Sequence, residues 1–379
     1  MAEFQEETAM PWKEVRPMDE KLLFLADYLR EAGNFSCLCE RYGISRKTGY
    51  KWVERYREGG VEGLGERSRR PHHNAIEIPY ATRQAILELR TAQRDVPGPK
   101  KIQALLQRRF GDEAIPSRTS IYNILKAAGQ IKPRRRIRRV QPCRSPLRSA
   151  SCPNELWSAD YKGQFKTRDG QWCYPLTIMD HASRYLLACD GQRGIHQQGA
   201  RAGFERLFRE YGLPERIRTD NGVPFATTAV GGLSRLSIWW IRLGIVPERI
   251  EPGQPQQNGR HERMHRTLKL DLGHSPGANL EEQQRRLEAF RQHYNDERPH
   301  EGLNQKRPGD CYTPSPRPYP ERLPEPEYPR YFHPNRVCQN GLIYWHGLRI
   351  YIGYLLYGEW VGLEEKENGR WDVCFGMIR

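Results

Sequence analysis

The sequence contains no long apolar run and no recognisable secretory leader. No stretch approaches the roughly 20 consecutive apolar residues that a helix needs to cross a bilayer. The N-terminal segment MAEFQEETAMPWKEV is acidic and lacks the apolar centre of a signal peptide. We therefore expect a cytoplasmic protein, neither embedded in a membrane nor secreted.

Cysteine pairs of the kind that bind zinc are also missing. The chain has 9 cysteines, an odd number, and no Cys-x-x-Cys motif. The nearest pair, Cys37 and Cys39, lacks the histidine partners that a zinc site would need. We expect free thiols in a reducing compartment rather than a disulfide framework.

Acidic residues are few relative to basic ones. The 379 residues include 61 Lys and Arg but 46 Asp and Glu, which gives a formal net charge of +15. A surplus of this size favours a polyanionic partner, and nucleic acid is the leading candidate. Binding to a ribosome or to a membrane surface is the alternative. The length of the chain predicts two to four domains.

Residues 18–65 have the pattern of a helix-turn-helix, whose second helix enters a DNA major groove. Gly43 marks a tight turn between two short helices, and Ser45 is placed to cap the second helix. Gly49 departs from the pattern, because a small branched apolar residue is usual at this place. A plain helical hairpin with a solvated basic face is the alternative. The predicted DNA contacts of this domain, 1–65, are Arg46, Lys47, Thr48, Tyr50 and Lys51.

A second helical unit is predicted over residues 80–131, after a basic linker at 66–79 that is rich in helix breakers. Ser117 is a predicted cap, and Ile121 and Leu125 form the buried side of the helix that follows it. We interpret the unit as a winged helix or a second helix-turn-helix, since two units in tandem read a longer site than one. Its predicted DNA contacts are Arg118, Thr119, Ser120, Tyr122 and Asn123.

A strongly basic linker follows at residues 132–150, and 6 of the 8 residues from 132 to 139 are Lys or Arg. Such a run repels itself and stays extended unless it meets an anion. It could lie along DNA phosphates or in a minor groove, and a solvated linker is the alternative. Its predicted DNA contacts are Arg134, Arg135, Arg136, Arg138 and Arg139.

The periodicity changes at about residue 151, where short apolar strands begin to alternate with helices. This pattern predicts an α/β domain with a mixed sheet over residues 151–311. The predicted strands are 171–180, 184–190, 217–220 and 244–250, and the predicted helices are 196–211, 258–271 and 280–296.

The last segment alternates glycine with aromatic residues. After a proline-rich linker at 312–330, short strands separated by turn signals predict a small β-barrel over residues 331–379. Barrels of this kind bind nucleic acid or a partner chain, and the sequence favours neither.

Three acids in the α/β domain suggest a magnesium site that acts on a phosphate backbone. We expect Asp160 where the first strand begins, Asp220 at a strand end before Asn-Gly, and Glu262 on a helix. Hard carboxylate oxygens suit magnesium, and two divalent ions can activate a hydroxyl and stabilise the leaving oxygen of a phosphoryl transfer. Arg266 and Lys269 lie on the same helical face as Glu262, where they could hold phosphate.

Each acid alone is weak support, because an aspartate at a strand end is more often a turn residue. Glu262 could instead form an ordinary surface salt bridge. Among the rival acids, Asp180 precedes a predicted hairpin turn and is interpreted as structural. The other rivals are Asp190, Glu248 and Glu251.

Several long motifs occur in a characteristic order, and together they cover most of the chain. They are Trp157-Ser-Ala-Asp160, Met179-Asp-His-Ala-Ser-Arg184, Thr219-Asp-Asn-Gly-Val-Pro-Phe225, residues 252–269 and residues 294–300. In these motifs the sequence resembles the insertion-sequence transposases with an integrase-type catalytic core, which are DDE enzymes of the retroviral integrase superfamily.

The resemblance implies an RNase H-like core in which Asp160, Asp220 and Glu262 bind two Mg²⁺ ions, with Mn²⁺ able to substitute. It also implies helix-turn-helix domains that recognise transposon ends, and at least a dimer on DNA. Two departures are the 41-residue spacer before Glu262, whose extra length we place at 229–240, and the absence of the zinc module of viral integrases. The residues expected to line the site are Gln257, Asn258 and Arg260.

We therefore predict a bacterial transposase, associated with the nucleoid, that cuts and joins double-stranded DNA at the terminal inverted repeats of its own element and at a target. A non-catalytic DNA-binding protein on the same scaffold is one alternative. A nuclease of the RNase H type, acting on RNA–DNA hybrids, is the other.

Overall fold

The computed structural model divides the chain into two units, which separate after residue 77. The predicted DNA-contacting arginines at 134–139 and most of the linker at 66–79 lie outside the residues that the structure describes. The described residues are 17–67, 78–92, 96–111, 115–131, 147–227, 229–273 and 275–378.

The first unit is a helical bundle with the predicted helix-turn-helix, formed by α1 (Pro17–Leu29), α2 (Phe35–Arg41) and α3 (Arg46–Gly59). Gly43, in the turn between α2 and α3, has a φ of 65°, a left-handed conformation that glycine adopts without strain. The Ser45 side chain accepts a hydrogen bond from the backbone N–H of Thr48 and caps α3, as predicted. The buried core comprises Phe24, Leu25, Leu38, Cys39, Trp52, Val53 and Leu64.

Gly49 is buried in α3, and the surrounding core leaves no room for a side chain at this position. A Cβ at this position would lie 2.7 Å from the Cys39 Sγ and 3.0 Å from the Phe35 Cζ. Alanine gains about 1 kcal/mol of helix propensity over glycine, but overpacking a core costs about 1–3 kcal/mol. The close contacts therefore explain why glycine replaces the usual branched residue.

Replacing Gly49 by Ala is expected to destabilise the first unit by about 1 kcal/mol, and replacing it by Val by more. Hydrogen exchange of the α3 amides measures the change as a lower free energy of opening. Gly59→Ala is the matched control, since a Cβ at Gly59 meets nothing within 4 Å. Equal protection of α3 in Gly49→Val and in the parent chain would contradict the packing argument.

The second predicted helical unit belongs structurally to the second half of the chain and consists of α4 (Tyr80–Ala92), α5 (Pro99–Phe110) and α6 (Arg118–Ala127). Ser117 accepts a hydrogen bond from the backbone N–H of Ser120 and caps α6, as predicted. The apolar faces of the three helices enclose one small core, formed by Ala85, Ile86, Ile102, Leu106, Ile121 and Leu125.

The α/β domain contains the predicted mixed sheet, in which six strands are joined in the order β2-β3-β1-β5-β6, with β4 paired to β3. β1 is antiparallel to β3 and parallel to β5, and β5 is parallel to β6. Arg184 has a φ of 62°, so β4 begins two residues after it rather than at residue 184, as predicted from the sequence. The strands are β1 (Trp157–Tyr161), β2 (Phe165–Lys166), β3 (Trp172–Asp180), β4 (Leu186–Gln192), β5 (Arg216–Thr219) and β6 (Val246–Arg249).

Four helices cover this sheet: α7 (Gln197–Tyr211), α8 (Arg235–Arg242), α9 (Gly259–Leu272) and α10 (Leu280–Gln292). The sequence predicted α10 to reach residue 296, but its last turn widens into a π-helical turn at His293–Glu297. The apolar face of α7 is buried as predicted, and α9 and α10 pack on one another through a separate cluster. That cluster comprises Met179, Leu186, Cys189, Met264, Leu268, Leu287, Phe290 and Tyr294.

The long spacer before Glu262 contains α8, which contributes to two cores at once. Trp239 and Trp240 pack in the core of the α/β domain, whereas Ile238 and Ile241 pack against the C-terminal strands. Arg242 at the end of α8 forms a 3.0 Å ion pair with Glu359. The spacer therefore provides a surface on which the C-terminal segment packs.

The C-terminal segment forms two small sheets, and the predicted closed β-barrel is not confirmed. One sheet has the order β11-β10-β7, and the other is a hairpin of β8 and β9. Strands of four to six residues, shared between two separate sheets, leave the array open, so apolar residues from both sheets pack on α8 instead. The strands are β7 (His333–Arg336), β8 (Leu342–Trp345), β9 (Leu348–Tyr351), β10 (Trp360–Glu365) and β11 (Trp371–Cys374).

Candidate active site

Asp160 is the fourth residue of β1 and lies near the end of that strand, not at its beginning as predicted. Trp157 anchors the strand, because its buried indole donates a 3.0 Å hydrogen bond to the Asn154 side chain. Asp160 pairs with Thr177 of β3 in the sheet register. Its side chain keeps 25% exposure and can therefore still reach a ligand.

Asp220 follows the last residue of β5, the strand parallel to β1. Its Oδ1 accepts a 3.1 Å hydrogen bond from the backbone N–H of Gly222. A Cβ at Gly222 would lie 3.0 Å from the Asp220 Oδ2, so glycine permits the close approach that the sequence predicted. The Asn221 side chain donates to the Ile250 carbonyl and ties this turn to the end of β6.

Glu262 lies in the first turn of α9 and is exposed. In the part of the chain that the structure describes, no hydrogen bond or ion pair engages its carboxylate, so the surface salt bridge considered above is not formed. Arg266 and Lys269 are exposed on the same helix, while Met264 and Leu268 are buried. The amphipathic arrangement expected for α9 is therefore present.

Three of the four rival acids, all but Glu251, are held by structural contacts of their carboxylates. Glu248 forms an ion pair with Arg218, whose side chain is 3% exposed. Asp190 accepts a 2.7 Å hydrogen bond from Arg206. The buried Asp180 carboxylate accepts three hydrogen bonds. One comes from the backbone N–H of Asn154, and two come from the backbone N–H and the hydroxyl of Ser183. These contacts agree with the structural interpretation of Asp180.

The charges of Asp220 and Glu262 act on the carboxyl group of Asp160. Burial, followed by repulsion from Asp220, raises the pKa of Asp160 to about 7, and Glu262 adds a further repulsion. Lys162 opposes this shift without cancelling it. Carboxylates that converge in this way are stabilised by a divalent cation, and their hard oxygen donors fit Mg²⁺ or Mn²⁺.

Two histidines that we did not predict as site residues lie beside Asp160. His261 and His265 are one turn apart on α9, and the Nε2 atom of each lies 2.7 Å from the buried hydroxyl of Thr177. Burial, with the nearby charge of Lys162, lowers the pKa of His265 to about 3. The spacing of the two histidines on a predicted helix was the signal that could have identified the pair.

The residues expected to line the site are engaged in contacts with the protein. The Gln257 side chain accepts a 2.7 Å hydrogen bond from the backbone N–H of Glu251. Arg260 donates to the His181 carbonyl at 2.6 Å. Asn258 is buried, and no partner for its Oδ1 lies among the described residues. Gln257 and Arg260 thus shape the entry to α9.

The predicted DNA-contacting side chains of the helical units lie on the outer faces of α3 and α6. Thr48 and Ser120 are half-buried, and the others are exposed. The exposed residues on α3 are Arg46, Lys47, Tyr50 and Lys51, and those on α6 are Arg118, Thr119, Tyr122 and Asn123.

Family comparisons assign both parts of the chain. Two models described as an integrase core domain match residues 150–255 and 243–308. The chain carries an integrase core domain. A helix-turn-helix domain model matches residues 20–72, and a homeodomain-like domain model matches residues 48–125. The predicted organisation, helix-turn-helix domains before an RNase H-like core of the integrase type, is confirmed.

The chain is similar to proteins of bacterial insertion elements. It is 29% identical over 215 residues to the uncharacterized 31.7 kDa protein of insertion element IS407 from Burkholderia multivorans, covering 56% of this chain and 74% of that protein. It is 27% identical to the uncharacterized 39.2 kDa protein of insertion element IS476 from Xanthomonas euvesicatoria, covering 48% of this chain and 51% of that protein. Both relatives are thus proteins of insertion elements.

A solved structure of the simian T-cell lymphotropic virus intasome, in complex with the PP2A regulatory subunit B56 gamma, is 16% identical to this chain. The match has a TM-score of 0.36 and covers 74% of this chain and 97% of the other.

Among the described residues of the chain, no helix combines the length and apolar character needed to cross a membrane.

Proposed function

We propose that this protein is a DNA transposase that cleaves the ends of its own insertion sequence and joins them to a target by metal-dependent strand transfer. The observation that carries the proposal is the position of Asp160 and Asp220 at the C-terminal ends of the neighbouring parallel strands β1 and β5, with Glu262 in the first turn of α9 near enough to raise the pKa of Asp160. Two divalent ions held by such acids supply both the activated hydroxyl and the stabilised leaving group of phosphoryl transfer.

Each acid has a role in this proposal. Asp160 and Asp220 would hold the metal ions, and Glu262 would complete the site from α9. Arg266 and Lys269 continue the exposed face of that helix, where their charges would hold DNA phosphate. Mg²⁺ is the expected ion and Mn²⁺ its substitute, since both accept oxygen ligands.

The partner is double-stranded DNA, with the outer faces of α3 and α6 reading the terminal inverted repeats. A recombination reaction joins two ends, so the active species is expected to be at least a dimer on DNA. A protein with this task would act in the cytoplasm, associated with the nucleoid.

The proposal is tested with the DNA that flanks the gene on its two sides. The purified chain is mixed with both flanking fragments and a supercoiled plasmid in Mg²⁺, and new junctions are sequenced. We expect junctions that begin at one fixed nucleotide of each inverted repeat and that disappear when EDTA removes the metal.

Two results would contradict this proposal. Specific binding to the flanking DNA without any junction would favour a non-catalytic DNA-binding protein. Cleavage of RNA–DNA hybrids, with no DNA joining, would favour a nuclease of the RNase H type.

A further inference from the structure

The hydroxyl of Thr177 lies at the centre of a hydrogen-bond network beneath Asp160. This hydroxyl lies 2.9 Å from the backbone carbonyl of Asp160 and 2.7 Å from the Nε2 atoms of both His261 and His265. Thr177 is fully buried, and the rings of the two histidines are nearly perpendicular, with centroids 4.7 Å apart. All these groups are therefore fixed by packing.

The network determines where the protons lie. A carbonyl can only accept, so the single proton of the Thr177 hydroxyl is donated to the Asp160 carbonyl. In the arrangement that satisfies all three contacts, the hydroxyl oxygen then accepts from both histidines, and each ring carries its proton on Nε2. The Nδ1 of His261 in turn accepts a 2.9 Å hydrogen bond from the Ser158 hydroxyl.

His265 differs from His261 because none of the residues that the structure describes donates a hydrogen bond to its second nitrogen. Its Nδ1 faces the Asp160 Oδ2 at 3.6 Å, which is too long for a hydrogen bond. A bare ring nitrogen and a carboxylate oxygen thus point toward one another, although both are acceptors. One cation can satisfy both atoms, because metal–nitrogen and metal–oxygen bonds of about 2.0–2.2 Å span this separation.

We infer that His265 supplies a nitrogen ligand, through Nδ1, to a divalent ion that Asp160 also binds. The side-chain ligand atoms of Asp160, His261 and His265 lie within 4.8 Å of one another, but both nitrogens of His261 are occupied by hydroxyl groups. His261 therefore positions Thr177, and only His265 is free to bind metal.

This inference rests on the proposed function. A histidine ligand would make the proposed metal site selective among divalent ions. Mg²⁺ strongly prefers oxygen, whereas Mn²⁺ and Zn²⁺ accept imidazole more readily. A site with one nitrogen ligand is expected to bind Mn²⁺ more tightly, relative to Mg²⁺, than a site made of carboxylates alone.

Pulsed electron paramagnetic resonance of the full chain with Mn²⁺ tests the inference without any DNA. We expect ¹⁴N modulation from a directly bound nitrogen, which changes to the ¹⁵N pattern when histidine is labelled with ¹⁵N. This measurement needs no substitution, so it does not depend on a variant that folds.

Substitutions then identify the histidine. His265→Gln places an amide N–H where Nε2 donates to Thr177 but removes Nδ1, so the nitrogen modulation should disappear and Mn²⁺ should bind about tenfold more weakly. His261→Gln is the matched control, and it should keep the modulation.

The outcomes separate this inference from the proposed function. Mn²⁺ that binds the wild-type chain without nitrogen modulation overturns the role of His265, while metal-dependent joining of DNA could still be observed. Modulation that persists in His265→Gln also overturns it. A chain that joins no DNA yet shows nitrogen-bound Mn²⁺ contradicts only the transposase proposal.

Discussion

Replacing Asp220 by Asn is expected to lower the rate of strand transfer about a thousandfold while leaving specific DNA binding intact. A neutral amide loses the charge that holds a divalent ion, and metal ions contribute several kcal/mol to the stabilisation of a phosphoryl-transfer transition state. About 4 kcal/mol corresponds to a factor of about a thousand. Junction formation and DNA-binding affinity, measured on the same flanking fragments, separate the two effects.

Glu262→Gln should cause a similar loss, and Glu251→Gln provides its matched control. Both glutamates are exposed and lie within one stretch of chain, but Glu251 precedes the turn into α9. If strand transfer were retained in Glu262→Gln and lost in Glu251→Gln, Glu251 rather than Glu262 would be the third metal-binding acid. Retained activity in Asp220→Asn would overturn the metal-binding triad.

Features that depend on neighbouring residues could be predicted from the sequence. The caps at Ser45 and Ser117 are bonds to the backbone three residues later, so their local pattern was sufficient. Most strands and helices of the α/β domain follow from periodicity, but β2 and α8 were not predicted. The order of motifs indicated the integrase-type core.

Features that depend on distant residues could not be predicted in this way. Thr177 meets His261 and His265 across 84 and 88 residues of sequence, and no spacing rule connects a strand threonine to them. Closure of the C-terminal segment into a barrel depends on which strand edges pair, and alternating glycine and aromatic residues do not specify that.

The spacer before Glu262 shows how sequence and structure complement each other. Its length alone made the assignment of Glu262 less secure, since Glu248 and Glu251 lie nearer to Asp220. The structure places α8 within the spacer, and its Ile238 and Ile241 pack against the C-terminal strands. It also shows that Glu248 forms an ion pair with Arg218, so a structural role accounts for Glu248 without metal binding.

That partner, Arg218, connects the elements that carry the acids. It lies on β5 two residues before Asp220, and its guanidinium donates to Glu248 on β6. It also donates to the carbonyls of Gln257, at the entry to α9, and of Arg148, at 3.0 and 2.8 Å. One buried side chain thus links the strand of Asp220 to the helix of Glu262.

Arg218→Ala is expected to destabilise the α/β domain by about 3–5 kcal/mol, because it leaves Glu248 as an unpaired, largely buried charge. Hydrogen exchange of the β5 and β6 amides should report the loss as a lower free energy of opening. Arg209→Ala is the control, since it removes an exposed ion pair with Glu205 that is worth about 0–1 kcal/mol. The double variant Arg218→Met with Glu248→Leu should recover most of the stability, because neither charge then remains buried. Equal protection in Arg218→Ala and Arg209→Ala would show that this link does not support the site.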